Sequence, residues 1–341
     1  MASSATSSPY IPVVDITPFL ENPQGTAAQQ VVDNVRRACM STGFFLMKGH
    51  GISPKLQNSV FQASAKFFAL PHEAKLSLDA RKNVGFRGYD VMESQSYELE
   101  TRSGPQDGSE VMRDTKEGFF ASTDVPLDHP RVAAGRFLVG PNVWPDADVL
   151  SHEDFRAPLE EYLGEMKRLS HVVLNLIAAT LPYGPHVFDE LEADDPMCLL
   201  RLLHYPPTPH SVDGMKLGAG AHTDFGAITL LLQDEHPGLE VLDEKTGEWQ
   251  GVPPQKDVYI VNMADIMSIL TKGAYKSSVH RVWNKNTEDR YSVVFFFDGN
   301  LDLKLKPLDG TEQRQDNNQE ILTLEEHVRG RMTGSYSIPK N

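Results

Sequence analysis

The chain has 341 residues, with 32 Lys and Arg against 47 Asp and Glu, a formal net charge of −15 at pH 7. Charged residues make up 23% and the hydrophobic set 40%, the balance of a soluble, core-forming chain. Excess acid, with no Lys/Arg run longer than the pair Arg81-Lys82, argues against nucleic acid as a partner, and no apolar run approaches the roughly 20 residues of a membrane span. Cys39 and Cys198 are too few for a disulfide framework or a cysteine-based zinc site, so a reducing, cytoplasmic interior is the expected location. Met1 to Ser8 are small and polar, without the features of a secretory or transit signal, and read as a frayed terminus.

In chain order, Ile11–Ile16 is a short strand interrupted by Pro12 and closed by Thr17-Pro18. Ala27–Thr42 carries Val31, Val32, Val35 and Ala38 at helical spacing, and Phe44-Phe45-Leu46-Met47 follows Gly43 as a buried strand. Leu56–Phe68 is helical again, closed before Pro71. Arg81 to Pro145, rich in Gly, Asp, Ser and Pro, reads as loops with short elements. Phe155–Leu181 is the longest helical pattern, with Leu159, Leu163, Met166, Leu169 and Val173 on one stripe and Ser151 as a candidate N-cap. From about Met197 the texture becomes β-rich: Cys198–Tyr205, Ile228–Leu232, Leu239–Leu242, Val258–Asn262, Ser277–Val282 and Tyr291–Phe297. Short strands at this spacing predict a sandwich or barrel, so the fold class expected is α+β, with a mainly helical N-terminal half around a β core. A helix over Leu322–Met332 ends the pattern.

The sharpest local feature is Gly220-Ala-His222-Thr-Asp224-Phe-Gly226. In an extended strand His222 and Asp224 point to one side, which supplies two members of a two-His, one-carboxylate iron site. His280, in a β-rich run, suits the third. A second His-x-Asp, His152-Glu-Asp154, opens a helix, where i and i+2 diverge and acid serves the first turn. Arg290 and Ser292 share a face of the last strong strand. They suit a carboxylate as a bidentate guanidinium plus a hydroxyl, and taken alone they equally suit a structural ion pair or a solvent-facing edge.

Together these words are identified as those of the isopenicillin N synthase-like Fe(II)/2-oxoglutarate-dependent dioxygenases. The order Gly-Ala-His222-Thr-Asp224-Phe-Gly, Lys276-Ser-Ser-Val-His280-Arg-Val, Arg290-Tyr-Ser292 carries the resemblance, and Ile11-Pro-Val-Val-Asp15, Gly43-Phe-Phe-Leu-Met-Lys-Gly-His-Gly51 and Gly140-Pro-Asn-Val-Trp-Pro145 extend it over nearly the whole chain. The resemblance implies a double-stranded β-helix, or jelly roll, flanked by helices, divided as an N-terminal region 9–150, a long connecting helix 151–196, an oxygenase core 197–300 and a tail with a helix 301–341. It implies Fe(II) bound by His222, Asp224 and His280, with 2-oxoglutarate and O2 as cosubstrates. It also implies that Arg290, Ser292 and Tyr205 hold 2-oxoglutarate. The family asparagine two residues before that tyrosine is Leu203 here, and a family glycine is Ala264.

Arg201, on the parity of Tyr205, and Phe296, on that of Arg290, are candidate substrate contacts, each also readable as an ion pair or as core packing. His204, on the opposite parity, is expected between layers. The implied activity is oxidation of a C–H of a small metabolite (hydroxylation, desaturation or a ring closure or expansion) with release of succinate and CO2. Two other readings stay open on sequence: an iron oxidase of the same fold that uses no 2-oxoglutarate, and a non-catalytic jelly-roll binder of a small acid. A zinc hydrolase would leave Arg290 and Ser292 unexplained.

Overall fold

The computed structural model describes residues 10–96, 114–207, 217–311 and 321–336. Met1–Ser8, part of the Arg81–Pro145 stretch and parts of the expected 197–300 core and 301–341 tail lie outside them. Twelve strands occur among the described residues: β1 (Val13–Asp15), β2 (Phe44–Lys48), β3 (Gly88–Asp90), β4 (Glu117–Ser122), β5 (Met197–Tyr205), β6 (Ala219–His222), β7 (Ile228–Gln233), β8 (Leu239–Asp243), β9 (Glu248–Gly251), β10 (Tyr259–Met263), β11 (His280–Val282) and β12 (Arg290–Gly299). They form an eight-stranded sheet, ordered β1-β2-β10-β7-β12-β5-β4-β3, and a four-stranded sheet, ordered β6-β11-β8-β9. All neighbours are antiparallel except β1 and β2. This is the jelly-roll core of the expected α+β fold.

The two faces of the large sheet have different tasks. On β12 the odd residues Val293, Phe295 and Phe297 are fully buried on the outer face with Leu200 and Leu202 of β5. The helices Thr26–Ser41, Pro54–Phe68 and Ala157–Thr180 cover that face and one another with the stripes that the periodicity picked out, including Val31, Val35, Val60, Leu159, Met166 and Val173. The even residues of β12 point the other way, toward the small sheet, where Phe44, Leu46, Leu203, Ala219, Val241 and Val282 make a second apolar cluster. The cavity that opens within this inner space is the one the site uses.

Several boundaries differ from the sequence reading for local reasons. The long helix starts at Ala157, after a wide helical turn His152–Arg156, because Pro158 has no N–H to return to residue 154. Ser151 caps that turn by accepting from the Asp154 amide at 3.2 Å. The stretch read as loops contains β4, all six residues of which are buried, and its flanking Gly, Asp and Ser residues mask it in sequence. β11 is shorter than the Ser277–Val282 run and begins at His280. The C-terminal helix runs Leu324–Ser335 behind a capping box of Thr323 and Glu326. No helix among the described residues is long and apolar enough to cross a membrane.

Candidate active site

His222 ends β6 and pairs directly across the ladder with His280, the first residue of β11. Their rings lie 4.4 Å apart, centre to centre. Asp224 is not on the strand: the chain leaves β6 after His222, so the i, i+2 alternation does not aim this carboxylate. Its direction comes from two hydrogen bonds to Oδ2, from the Thr229 hydroxyl at 2.6 Å and the Asn262 amide at 2.9 Å. Oδ1 is left facing the imidazoles, 3.7 Å from His222 Nε2 and 3.6 Å from His280 Nε2. The ligand atoms of the three residues all lie within 4.8 Å of one another.

Protonation favours a metal at this point. His222 Nδ1 lies 2.7 Å from the Gly220 carbonyl and His280 Nδ1 lies 3.2 Å from that of Ser278. Each Nδ1–H donates to its carbonyl, which turns the Nε2 lone pair inward. Burial, then the neighbouring His280, holds the His222 imidazole well below its ordinary range and therefore neutral. Two inward-facing ring nitrogens and one carboxylate oxygen make up the donor set of a facial triad for Fe(II).

Arg290, Ser292, Val294, Phe296 and Asp298, the even residues of β12, all line the same cavity. Arg290 is only 1% exposed. Its Nε donates to the His236 carbonyl at 3.1 Å and one terminal nitrogen to Gln233 Oε1 at 3.2 Å, while Nη1 is buried with no hydrogen-bond partner. Its guanidinium lies 4.8 Å from the centre of the Tyr205 ring, and Tyr205 faces Arg290 across the β5–β12 ladder. A buried cation with an uncommitted donor beside a serine and a tyrosine hydroxyl fits a carboxylate. Leu203 stands opposite Ser292 on β5, so the missing family asparagine leaves an apolar wall. Ala264 is buried at φ −106° and ψ −174°, an extended conformation in which alanine is unstrained.

Arg201 and Phe296 both reach the cavity wall. Arg201 is buried, pairs with Asp90, and donates to Gln95 Oε1 at 3.1 Å. His204 lies outside the cavity: its ring nitrogens meet Glu117 and Asp289, each at 2.7 Å, and its ring stacks between Phe68 and Tyr291. His152 and Asp154 take no part in the site, and Asp154 instead pairs with Lys66 at 2.6 Å.

Four further residues shape the site. Thr229 and Asn262 orient Asp224, and Asn262 had a visible signal as the one polar residue within the buried strand Tyr-Ile-Val-Asn-Met. Lys116 lines the cavity, paired with Asp114. Asp298 continues the inward parity of β12 one step beyond Phe296, and burial together with the charge of Asp224 pushes its carboxyl up to about 7.

Comparison with known proteins agrees with this geometry. Residues 11–147 match the family described as non-haem dioxygenase in morphine synthesis N-terminal, and residues 196–299 match the 2OG-Fe(II) oxygenase superfamily. The chain belongs to the 2OG-Fe(II) oxygenase superfamily: it is a 2-oxoglutarate-dependent dioxygenase, of a family that uses Fe(II) and 2-oxoglutarate. Among its relatives, clavatol oxidase of Penicillium crustosum is 66% identical over 331 residues, covering 96% of this chain and 97% of the relative. A 2-oxoglutarate-dependent dioxygenase of Monascus ruber is 58% identical, with 99% of each chain covered. A full-length Neurospora crassa protein, solved in complex with alpha-KG and thymine, superposes with a TM-score of 0.79 at 26% identity, covering 98% of this chain and 100% of that one. Of the readings the sequence left open, the relatives support the 2-oxoglutarate-using enzyme.

Proposed function

We propose that the protein oxidises a C–H bond of a small aromatic metabolite, with His222, Asp224 and His280 holding Fe(II) and Arg290, Ser292 and Tyr205 holding the distal carboxylate of 2-oxoglutarate. The observation that carries this reading is the conjunction, in one cavity, of three inward-facing ligand atoms within 4.8 Å of one another and a buried Arg290 donor without a partner. When bound, Fe(II) with 2-oxoglutarate and O2 supplies an oxidation coupled to decarboxylation of the oxo acid to succinate and CO2.

The chain's own residues do the rest. Thr229 and Asn262 fix which oxygen Asp224 offers, so the open side of the triad faces the cavity. Arg290 anchors one end of 2-oxoglutarate, which leaves the oxo-acid end to reach the triad. Phe296, Val294 and Phe225 supply apolar walls that exclude water from the reacting centre. Arg201, its charge balanced by Asp90, faces the substrate as a fixed hydrogen-bonding group rather than as a receptor for a free anion.

The 66% identity to clavatol oxidase supports clavatol as the first substrate to test. Purified enzyme with Fe(II), 2-oxoglutarate and clavatol should release one succinate per product. Mass and NMR analysis of the product then separates hydroxylation from desaturation or rearrangement. Succinate formation that clavatol and related phenols leave unstimulated would count against the substrate class. Product formed without 2-oxoglutarate would count against the cosubstrate assignment.

A further inference from the structure

We propose that Asp298 is the anchor for the substrate, accepting a hydrogen bond from a hydroxyl on an uncharged, hydroxylated aromatic ring. This inference rests on the oxygenase reading above and names the substrate class for that same cavity.

Three observations carry it. Asp298 is the residue at which the β12–β5 register shifts, between the pairs Phe297–Cys198 and Gly299–Met197. The bulge leaves Asp298 without a pairing partner on β5, and its side chain lines the cavity on the inward parity of the strand. Secondly, Asp298 is 5% exposed, and among the described residues no hydrogen bond or ion pair reaches its carboxyl. Burial of a carboxyl without a donor costs free energy that a ligand donor would recover. Thirdly, the carboxyl lies over Gly226, where a Cβ would sit 1.9 Å from Asp298 Oδ1. Glycine at 226 is what lets the carboxyl occupy that position.

The charge pattern of the cavity identifies what this acceptor takes. Arg201 is balanced by Asp90 and Lys116 by Asp114, and Arg290 stands at the far end of β12, eight residues from Asp298. No surplus cation therefore lies on the Asp298 side among the described residues, and an anionic substrate would meet a carboxyl there. Phe120, Phe225, Phe296 and Tyr336, drawn from separate parts of the chain, surround the same space with aromatic faces. A neutral ring with an outward hydroxyl satisfies both features.

The test is a titration under nitrogen of enzyme loaded with Fe(II) and 2-oxoglutarate, read by calorimetry, with three probes: 4-ethylresorcinol, its dimethyl ether and 4-ethylbenzoate. The wild type should bind the diol about tenfold more tightly than the ether, with the benzoate weakest, as expected when a buried acceptor is left unpaired by the wrong ligand. Asp298→Ala should bring diol and ether to within about twofold of each other. Asp298→Asn, which keeps the shape and a weaker acceptor, should give an intermediate ratio. The absorption band formed by Fe(II) and 2-oxoglutarate should persist in both variants. A diol preference unchanged by both substitutions, a wild type that binds the benzoate as well as the diol or fails to bind the diol, or loss of the band in the variants would each overturn the proposal. Absence of that band in the wild type would instead defeat the iron and 2-oxoglutarate assignment on which it rests.

Discussion

Asn262 and Asp224 lie 38 positions apart in sequence, yet the Asn262 side-chain amide donates to Asp224 Oδ2 at 2.9 Å. That bond, with the one from Thr229, decides which carboxylate oxygen faces the two imidazoles. The strands β7 and β10, which carry the two donors, pair Asn262 with Thr229 directly. The site is thus held by the sheet and not by the loop that carries Asp224.

Removing these donors should loosen the metal while leaving the fold intact. Asn262→Ala and Thr229→Val are expected to weaken Fe(II) binding by about 10- to 100-fold, the usual cost of losing an outer partner of a ligand. Competition with a calibrated chelator under nitrogen measures this. Affinity equal to wild type in both variants would show that Asp224 needs no such support.

Arg290→Ala should raise the 2-oxoglutarate dissociation constant by at least about 30-fold, as expected when a buried charged hydrogen-bonding partner is truncated. Iron affinity measured without 2-oxoglutarate should stay near wild type. Arg290→Lys should recover only part of the loss, since an ammonium cannot also span His236 O and Gln233 Oε1.

A buried network beneath the cavity wall predicts acid sensitivity. Burial pushes the Glu117 carboxyl up, but hydrogen bonds from His204, Lys75 and Tyr89, with the charge of Lys75, outweigh it and hold the group down at about 2. A carboxyl whose folded value lies below its unfolded one stabilises the protein above the unfolded value. That stability is lost as pH falls from about 4.5 toward 2. Glu117→Gln should destabilise the protein by about 3–5 kcal/mol at neutral pH, because Lys75 is left buried without its counter-charge. It should also flatten the melting temperature against pH over that acid range. Thermal denaturation between pH 3 and 7 (a range of about four units, set by the unfolded carboxylate) checks both.

The C-terminal helix contributes Val328 and Met332 to the cavity, and Tyr336, which follows its last residue, lines it too. It is tied down by Glu325, which takes Arg136 Nε at 2.6 Å and the Phe137 amide at 2.7 Å. Arg331 ties it to Thr223, between His222 and Asp224, at 3.0 Å. Glu325→Ala should therefore raise the KM for substrate several-fold, about what loss of one charged hydrogen bond gives, with Fe(II) affinity unchanged. Steady-state kinetics beside a metal titration separates the two.

Much of this arrangement is legible in the amino-acid order. His222, Asp224 and His280 stand out because two imidazoles and a carboxylate in β-rich words have few other uses, and β12 declares its inward face by alternation from Arg290 to Phe296. The same alternation reaches Asp298, although the bulge that leaves it unpaired on β5 makes no mark in the residue pattern. Other features depend on tertiary neighbours. The orientation of Asp224 comes from strands 5 and 38 residues away, and the balancing of Arg201 by Asp90 joins residues 111 apart. β4 was hidden because a six-residue buried strand among glycines and acids carries no period of its own.

A metal held jointly by three side chains is tested most directly by an anaerobic Fe(II) titration of wild type, His222→Ala, Asp224→Ala and His280→Ala. Each should be folded by circular dichroism, with 2-oxoglutarate added last to develop the iron-dependent absorption band. One iron per chain and a band are expected in the wild type, with at least about 100-fold weaker binding and no band in every variant. Binding of iron by His280→Ala or Asp224→Ala as tight as that of the wild type would show that the three side chains share no metal.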